Sequence, residues 1–197
     1  MRATLAGIVL AAGASRRFGS AKQLADFDGA PLLQQAVAAM TAVDELADVI
    51  VVLGAEAPAI TEAVALGRAR VVVCEDWAEG QAVSLNAGLA AAGAADAAVI
   101  ALGDQPLIGS SAIRRVIAKR NPATHDAVVA TYAGDRGHPV LFERTMFAAI
   151  AALRGDKGAR ALIDASDRVA WVACDDLGTP ADVDTPDDLR RLRSVRD

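Results

Sequence analysis

The chain has 197 residues, a length that suits one ordinary domain and excludes most multi-domain arrangements. Apolar side chains make up 53%, charged ones 23% and aromatics only 4%, which excludes a disordered chain. A formal net charge of −5 argues against a general nucleic-acid binder, although a local convergence of basic groups can still hold a phosphate.

The elements alternate. Leu5 to Ala11 is a short apolar run stopped by Gly13 and reads as a buried strand. Residues 12–30 form a polar, Gly-bearing loop with Arg16, Arg17 and Lys22, and Arg2 precedes the strand. Pro31 then opens an amphipathic helix, since proline is tolerated in the first helical turn. Asp48 to Gly54 is a second strand, Pro58 to Leu66 a helix, and Arg70 to Cys74 a third strand. A loop with Gly80 leads to a helix at about 83–92 and the strand Ala97 to Gly103. Ser110 and Ser111 are expected to cap a helix at 111–120. Asp126 to Tyr132 is another strand, followed by Gly137-His138-Pro139 and a short strand Val140 to Phe142. Helices at about 144–153 and 158–165, a strand Val169 to Cys174 and a helix after Pro186 complete the pattern.

Nearly all-apolar strands separated by helices imply a mostly parallel sheet covered on both faces, a three-layer Rossmann-like α/β fold. Ligands bind such sheets at the loops after the strand C-termini, here residues 12–22, 75–82, 104–109 and 133–138. Residues 1–197 are expected to form a single domain. Cys74 and Cys174 each end a Val-rich run, there is no CxxC pair, and the chain has two histidines. Zinc and a disulfide framework are therefore not indicated, and both cysteines are expected as buried small hydrophobes. No charged leader precedes an apolar stretch, and no apolar run nears ~18 residues. The expectation is a cytoplasmic protein with neither a membrane nor a nucleic acid as partner.

The first loop carries most of the chemistry. Gly13 and Gly19 let the backbone wrap closely around a ligand, successive N–H groups can form an anion-binding concavity, and Arg16 and Lys22 add positive charge. An ordinary strand-to-helix turn with solvated basic residues is the plain alternative. The Walker phosphate loop is excluded, because five residues separate the glycines and Ser20-Ala21 intervene before Lys22. The dinucleotide fingerprint GxGxxG is also absent, which speaks against an ordinary NAD-binding domain.

The stretch Leu10-Ala11-Ala12-Gly13-Ala14-Ser15-Arg16-Arg17-Phe18-Gly19, with Lys22 beyond, resembles the N-terminal signature of nucleotidyltransferases with a GT-A-like Rossmannoid fold. Gly80-Gln81-Ala82-Val83-Ser84-Leu85 with Gly88, Gly103-Asp104-Gln105-Pro106 and Gly137-His138-Pro139-Val140 follow in order. Gly155-Asp156-Lys157-Gly158-Ala159-Arg160 and Asp182-Val183-Asp184-Thr185-Pro186 close the series. Together they resemble the molybdenum cofactor cytidylyltransferase branch of the molybdopterin-guanine dinucleotide synthase-like NTP transferases, over essentially the whole chain. Gln105 stands where methionine is common in that family, and Trp77-Ala78-Glu79-Gly80-Gln81 replaces its usual Gly-Met pair.

The resemblance implies transfer of CMP from CTP to the phosphate of molybdopterin, with release of pyrophosphate. It makes Asp104 and Asp184 the ligands of a Mg²⁺ ion, whose habit is one or two carboxylates plus phosphate oxygens. Lys22 and Arg16 then hold the triphosphate, with Lys22, Arg16 and Asp104 as the catalytic set. The base lies against Leu10, Ala11, Ala12 and Gly13 and near Ser84, and Ala12 favours the cytidylyl over the guanylyl branch. His138 and Arg160 face the acceptor, and the client is a molybdoenzyme of the xanthine oxidase type. On the residues alone, Asp104 can instead make a turn after its strand, and Asp182, Asp184 or Asp187 can cap the last helix, with Thr185 as another cap. A turn histidine at 138, a helix-surface salt bridge at Arg160, and Trp77 packed under its loop rather than stacked on a ligand also remain open. The competing functions are a guanylyl or other small-molecule nucleotidyltransferase, an oxidoreductase like the pigment reductases of this broad family, and a non-catalytic carrier of the pterin cofactor.

Overall fold

The computed structural model describes residues 3–155 and 158–194. Arg2 and the Asp156-Lys157 part of the fifth motif lie outside these residues.

In chain order the elements are β1 (Leu5–Ala11), a 3-10 turn (Lys22–Leu24), β2 (Asp26–Phe27), β3 (Ala30–Pro31), α1 (Leu32–Thr41), β4 (Leu46–Leu53), α2 (Ala57–Ala63) and β5 (Arg70–Val73). A second 3-10 turn (Trp77–Glu79), α3 (Gln81–Ala91), β6 (Ala97–Leu102), α4 (Ser110–Ala118), β7 (Ala127–Tyr132) and β8 (Asp135–Glu143) follow. The last are α5 (Arg144–Ala151), α6 (Arg160–Asp164), β9 (Val169–Ala173) and α7 (Pro186–Arg193). Seven strands form one sheet in the order β5-β4-β1-β6-β8-β7-β9. All run parallel except β8, which is antiparallel to both β6 and β7.

Period-two alternation divides the core between the two faces of the sheet. Val9, Val51 and Val99 pack with Leu33, Met40, Ile60 and Ile113 of α1, α2 and α4. Their neighbours Ile8, Ile50, Val52 and Ile100 pack with Leu85 and Leu89 of α3, Ile150 of α5 and Ile163 of α6. This is the expected three-layer arrangement with a mostly parallel sheet. Cys74 and Cys174 are both free and buried, as their apolar runs imply. No helix among the described residues is long and apolar enough to cross a membrane.

Four local expectations are corrected. Pro31 is the N-cap of α1 rather than a residue of its first turn, and it also ends β3, because Asp28-Gly29, at φ 54° and 85°, turns the chain into a two-stranded ribbon just before α1. Ser110 and Ser111 do not cap α4: Gly109 is the N-cap, and the Ser110 hydroxyl instead accepts from the Arg114 guanidinium at 3.1 Å. Residues 135–138 are not loop but the first part of a nine-residue β8 that continues through Val140–Phe142. The helix begun near Pro58 stops at Ala63 because Val64 is already extended.

Gly88 explains why α3 lies so close to the sheet. A Cβ at this position would meet Ile8 Cγ2 at 2.7 Å and Val52 Cγ2 at 3.1 Å, both on rigid, buried strands. Gly88→Ala should therefore destabilise the fold by about 1–2 kcal/mol despite the better helix propensity of alanine. A lowered urea midpoint with unchanged slope is the result expected; an unchanged midpoint means the helix stands off freely.

Candidate active site

The loop after β1 is shaped from inside by Gln23, which is only 4% exposed. Its Nε2 donates to the carbonyls of Ala11 (3.0 Å) and Gly13 (2.9 Å), and its Oε1 accepts from the Ser15 hydroxyl at 3.1 Å. The Ala12 carbonyl accepts from the amide of Ala55 at 3.1 Å, tying the loop to the end of β4. These bonds set the path of the loop and bring the following 3-10 turn, with Lys22 at its start, back over the edge of the sheet.

Asp104 stands two residues beyond β6, after a Gly103 that no larger residue can replace without movement. A Cβ at 103 would meet Leu33 Cδ1 at 2.7 Å and Ala11 Cβ at 2.9 Å. The segment before α7 returns to the same place. The Val183 amide donates to the Asp104 carbonyl at 2.9 Å. Gln105 Nε2 donates to the Pro180 carbonyl (3.0 Å) and the Asp182 carboxylate (2.8 Å). Val183 is packed with Phe27, Leu32 and Leu192, which anchors α7 on the β2–β3 ribbon. Thr185 caps α7 in a reciprocal box with Asp188, and Pro186 follows in the first turn, leaving Asp184 free to face the cleft.

The outcome is a four-residue charge cluster. The Lys22 ammonium donates to Asp104 Oδ2 at 2.7 Å and Asp184 Oδ1 at 3.1 Å, and the Arg17 guanidinium lies 3.0 Å from Asp184 Oδ2. Burial penalises the Lys22 ammonium, but the Asp104 carboxylate, joined by Asp184, outweighs it and holds the group above its ordinary value. Burial also pushes the Asp182 carboxyl up against the pull of Gln105, and the neighbouring Asp104 and Asp184 charges add to the rise. The remaining oxygen, Asp104 Oδ1, is buried without a hydrogen-bond partner among the described residues. A carboxylate oxygen left bare at a point where a second carboxylate converges suits a divalent cation, so the donor set fits such an ion with Asp104 and Asp184 as its protein ligands.

Every residue that the resemblance assigns to the base, phosphates, metal or acceptor lines one cleft of about 890 Å³. Leu10, Ala11, Ala12 and Gly13 form one wall, the buried Ser84 of α3 lies beside them with its hydroxyl 4.0 Å from the Cys74 sulfur, and Lys22, Asp104 and Asp184 form the floor. Arg16 is exposed on the rim, and it is Arg17 rather than Arg16 that pairs with an acidic residue of the site. His138 and Arg160 face the same space from β8 and α6. Trp77 lines the cleft and also packs against the core, where Gly54 makes room for its ring. Sequence reasoning missed Gln23, Gln105, Arg17 and Arg136 as parts of the site. The signal the first two offered is an amide directly after Lys22 and directly after Asp104.

The start of β8 is held by Tyr132, whose hydroxyl donates to the His138 carbonyl at 2.9 Å and whose ring packs on Gly137. Burial pushes the Tyr132 phenol up and the His138 imidazole down to about 4, against an opposing pull from Asp104. His138 is therefore neutral at pH 7, with a folded-state value below the 6.5 of the unfolded chain. Its contribution to stability is complete above the unfolded value and is lost as pH falls towards the folded one. Urea unfolding measured from about pH 7 to pH 4 should show stability dropping over that window, with a shallower drop in His138→Asn. Equal slopes for the two proteins remove the assignment.

The MobA-like NTP transferase domain model matches residues 7–175. The nicotine blue oxidoreductase of Paenarthrobacter nicotinovorans is 33% identical over 194 residues, covering 94% of this chain and 95% of that protein. The purine catabolism protein PucB of Bacillus subtilis (strain 168) is 29% identical over 201 residues, 96% of each chain. Among solved structures, Rv0371c from Mycobacterium tuberculosis H37Rv is 40% identical with a TM-score of 0.87, over 98% of this chain and 100% of that one. The same protein in complex with manganese superposes with a TM-score of 0.82 at 37% identity, covering 97% of this chain and 98% of that one. A match over most of the chain, with relatives of this identity and coverage, identifies the chain as a member of the MobA-like NTP transferase family.

Proposed function

We propose that this nucleotidyltransferase-family chain, acting as the single domain of residues 1–197, transfers CMP from CTP to the phosphate of a molybdopterin-type acceptor, with Mg²⁺ as its cation. The observation that carries the reading is the convergence of Lys22, Asp104 and Asp184 on the floor of a cleft walled by the backbone of residues 10–13. The acceptor is already a nucleophilic anion. One of its phosphate oxygens attacks the α-phosphorus in line, a new P–O bond forms, the bond to the β-phosphate breaks, and pyrophosphate carries away the electron pair. No proton has to be abstracted, so the site needs positioning and charge neutralisation rather than a nucleophile–base pair.

Each residue has a part in that scheme. The backbone of Leu10, Ala11, Ala12 and Gly13 reads the base edge, with Ser84 beside it. Lys22 and Arg16 hold the phosphates and offset the charge that grows on the leaving group. Asp104 and Asp184 hold the divalent cation, which when bound neutralises phosphate charge as a Lewis acid. His138, neutral at working pH, and Arg160 orient the acceptor. The manganese complex of Rv0371c is consistent with a divalent cation in this family. The product serves a molybdoenzyme of the xanthine oxidase type, in the cytoplasm.

The second reading, reduction of a planar pigment, is favoured by the likeness to nicotine blue oxidoreductase. The two are separated by what is consumed. Pyrophosphate release with Mg²⁺ and a molybdopterin acceptor should be much faster with CTP than with GTP. Hydride-donor oxidation in the presence of a pigment, without pyrophosphate release, overturns the transferase reading. Equal rates with CTP and GTP overturn the base assignment alone. Asp104→Asn should lower kcat/KM by about a hundredfold or more while the melting temperature holds, and Lys22→Ala should act on a similar scale. Near-normal turnover in either variant removes that residue from the mechanism.

A further inference from the structure

The sheet face that walls the cleft continues past it. Val140 of β8 pairs with Val129 of β7, and Val129 pairs with Trp171 of β9. Residues in register on neighbouring strands share a face, so these three form one row running from the cleft to the outer edge of the sheet. Val140 and Val129 are buried at 5% and 1% exposure, whereas the Trp171 indole is left 49% exposed. A second cavity of about 650 Å³ opens against it, lined by Thr131, Gly134, Asp135, Arg136, Arg160 and Trp171. Arg136 and Arg160 line both cavities, so the second is an extension of the first.

The charges in the extension are unequal in what they offer. Arg136 donates to Asp164 at 2.6 Å and is largely spent on that pair. Asp135, joined to Tyr132 through the strand ladder alone, keeps its side chain exposed on the rim at the start of β8. Arg160, exposed at the first position of α6, has no ion-pair or hydrogen-bond partner among the described residues. A flat apolar surface with one unspent guanidinium next to it selects a flat ring with one negative group.

We propose that Trp171 and Arg160 form a specificity subsite beyond the reacting phosphates, which takes a planar heteroaromatic ring stacked on the indole with an anionic substituent on the guanidinium. The subsite deepens the transferase reading, on which it rests for the reacting end of the acceptor. It determines which acceptor is chosen rather than how fast phosphate reacts. Because Trp171 sits at an edge strand with half its surface in water, its truncation leaves the packed core intact.

The probe is pterin-6-carboxylate, titrated calorimetrically into the whole chain, with glutarate as a flexible, non-aromatic anion for comparison. The wild type should bind the pterin and bind glutarate far more weakly. Trp171→Ala should weaken pterin binding by about tenfold, the scale of one aromatic stack, and Trp171→Phe should restore most of it. Arg160→Gln should weaken it independently, which keeps the test open if the tryptophan variant misfolds. No binding by the wild type, equal affinity in wild type and Trp171→Ala, or glutarate bound as tightly as the pterin each overturns the subsite. A thermal-shift titration of the wild type with CTP and Mg²⁺ separates the two proposals. Pterin binding without a CTP shift overturns the transferase reading alone, and a CTP shift without pterin binding overturns the subsite alone.

Discussion

The Lys22 ammonium, held between the Asp104 and Asp184 carboxylates, is the contact on which the whole site turns. It joins residues 82 and 162 positions apart in the chain, and without a cation at that point two carboxylates would face each other in a partly desolvated floor. Like charges so placed repel, and the repulsion grows as water is excluded. A cation is thus required by the geometry whether or not substrate is present. Lys22 meets that requirement within the chain, while Asp104 Oδ1 stays a buried acceptor without a hydrogen-bond partner among the described residues.

Most of the remaining architecture serves to keep these three side chains registered. Gly103 brings the Asp104 turn against β1 and α1. Gln23 fixes the loop that leads to Lys22, and Gln105 straps the last segment to the end of β6. Val183 and Leu192 bury against Phe27 and Leu32, so a small apolar cluster carries the acidic strap at a set height above the sheet. Hydrophobic burial supplies the position, and the buried amides supply the direction.

How much of this was legible in the sequence depended on whether the signal was local. β1, β4 and β6 were readable as strands because each is a short, almost wholly apolar run rich in Val, Ile and Leu, the pattern of strands buried on both faces. The cap of α7 was legible only as a choice among Asp182, Asp184, Asp187 and Thr185, and the reciprocal bonds with Asp188 select Thr185. β8 was half hidden, because Asp135, Arg136, Gly137 and His138 give no apolar alternation, and their strand geometry is imposed by pairing with β7 and by Tyr132. Gln23 and Gln105 were invisible as site residues. Their partners are backbone carbonyls and an aspartate that only the fold brings near, and no spacing in the chain encodes those distances. Arg17 and Arg16 are adjacent, so only coordinates could decide which of them turns towards Asp184.

The late position of Asp184 has a consequence for the order of assembly. All seven strands of the main sheet are complete by Ala173, so the three-layer core can form before the acidic strap is in place. A chain at that stage owns the cradle, Lys22 and Asp104 but lacks the second carboxylate. The segment that carries Asp184 is therefore laid across a sheet that is already complete, and the charge cluster with Lys22 closes after the core.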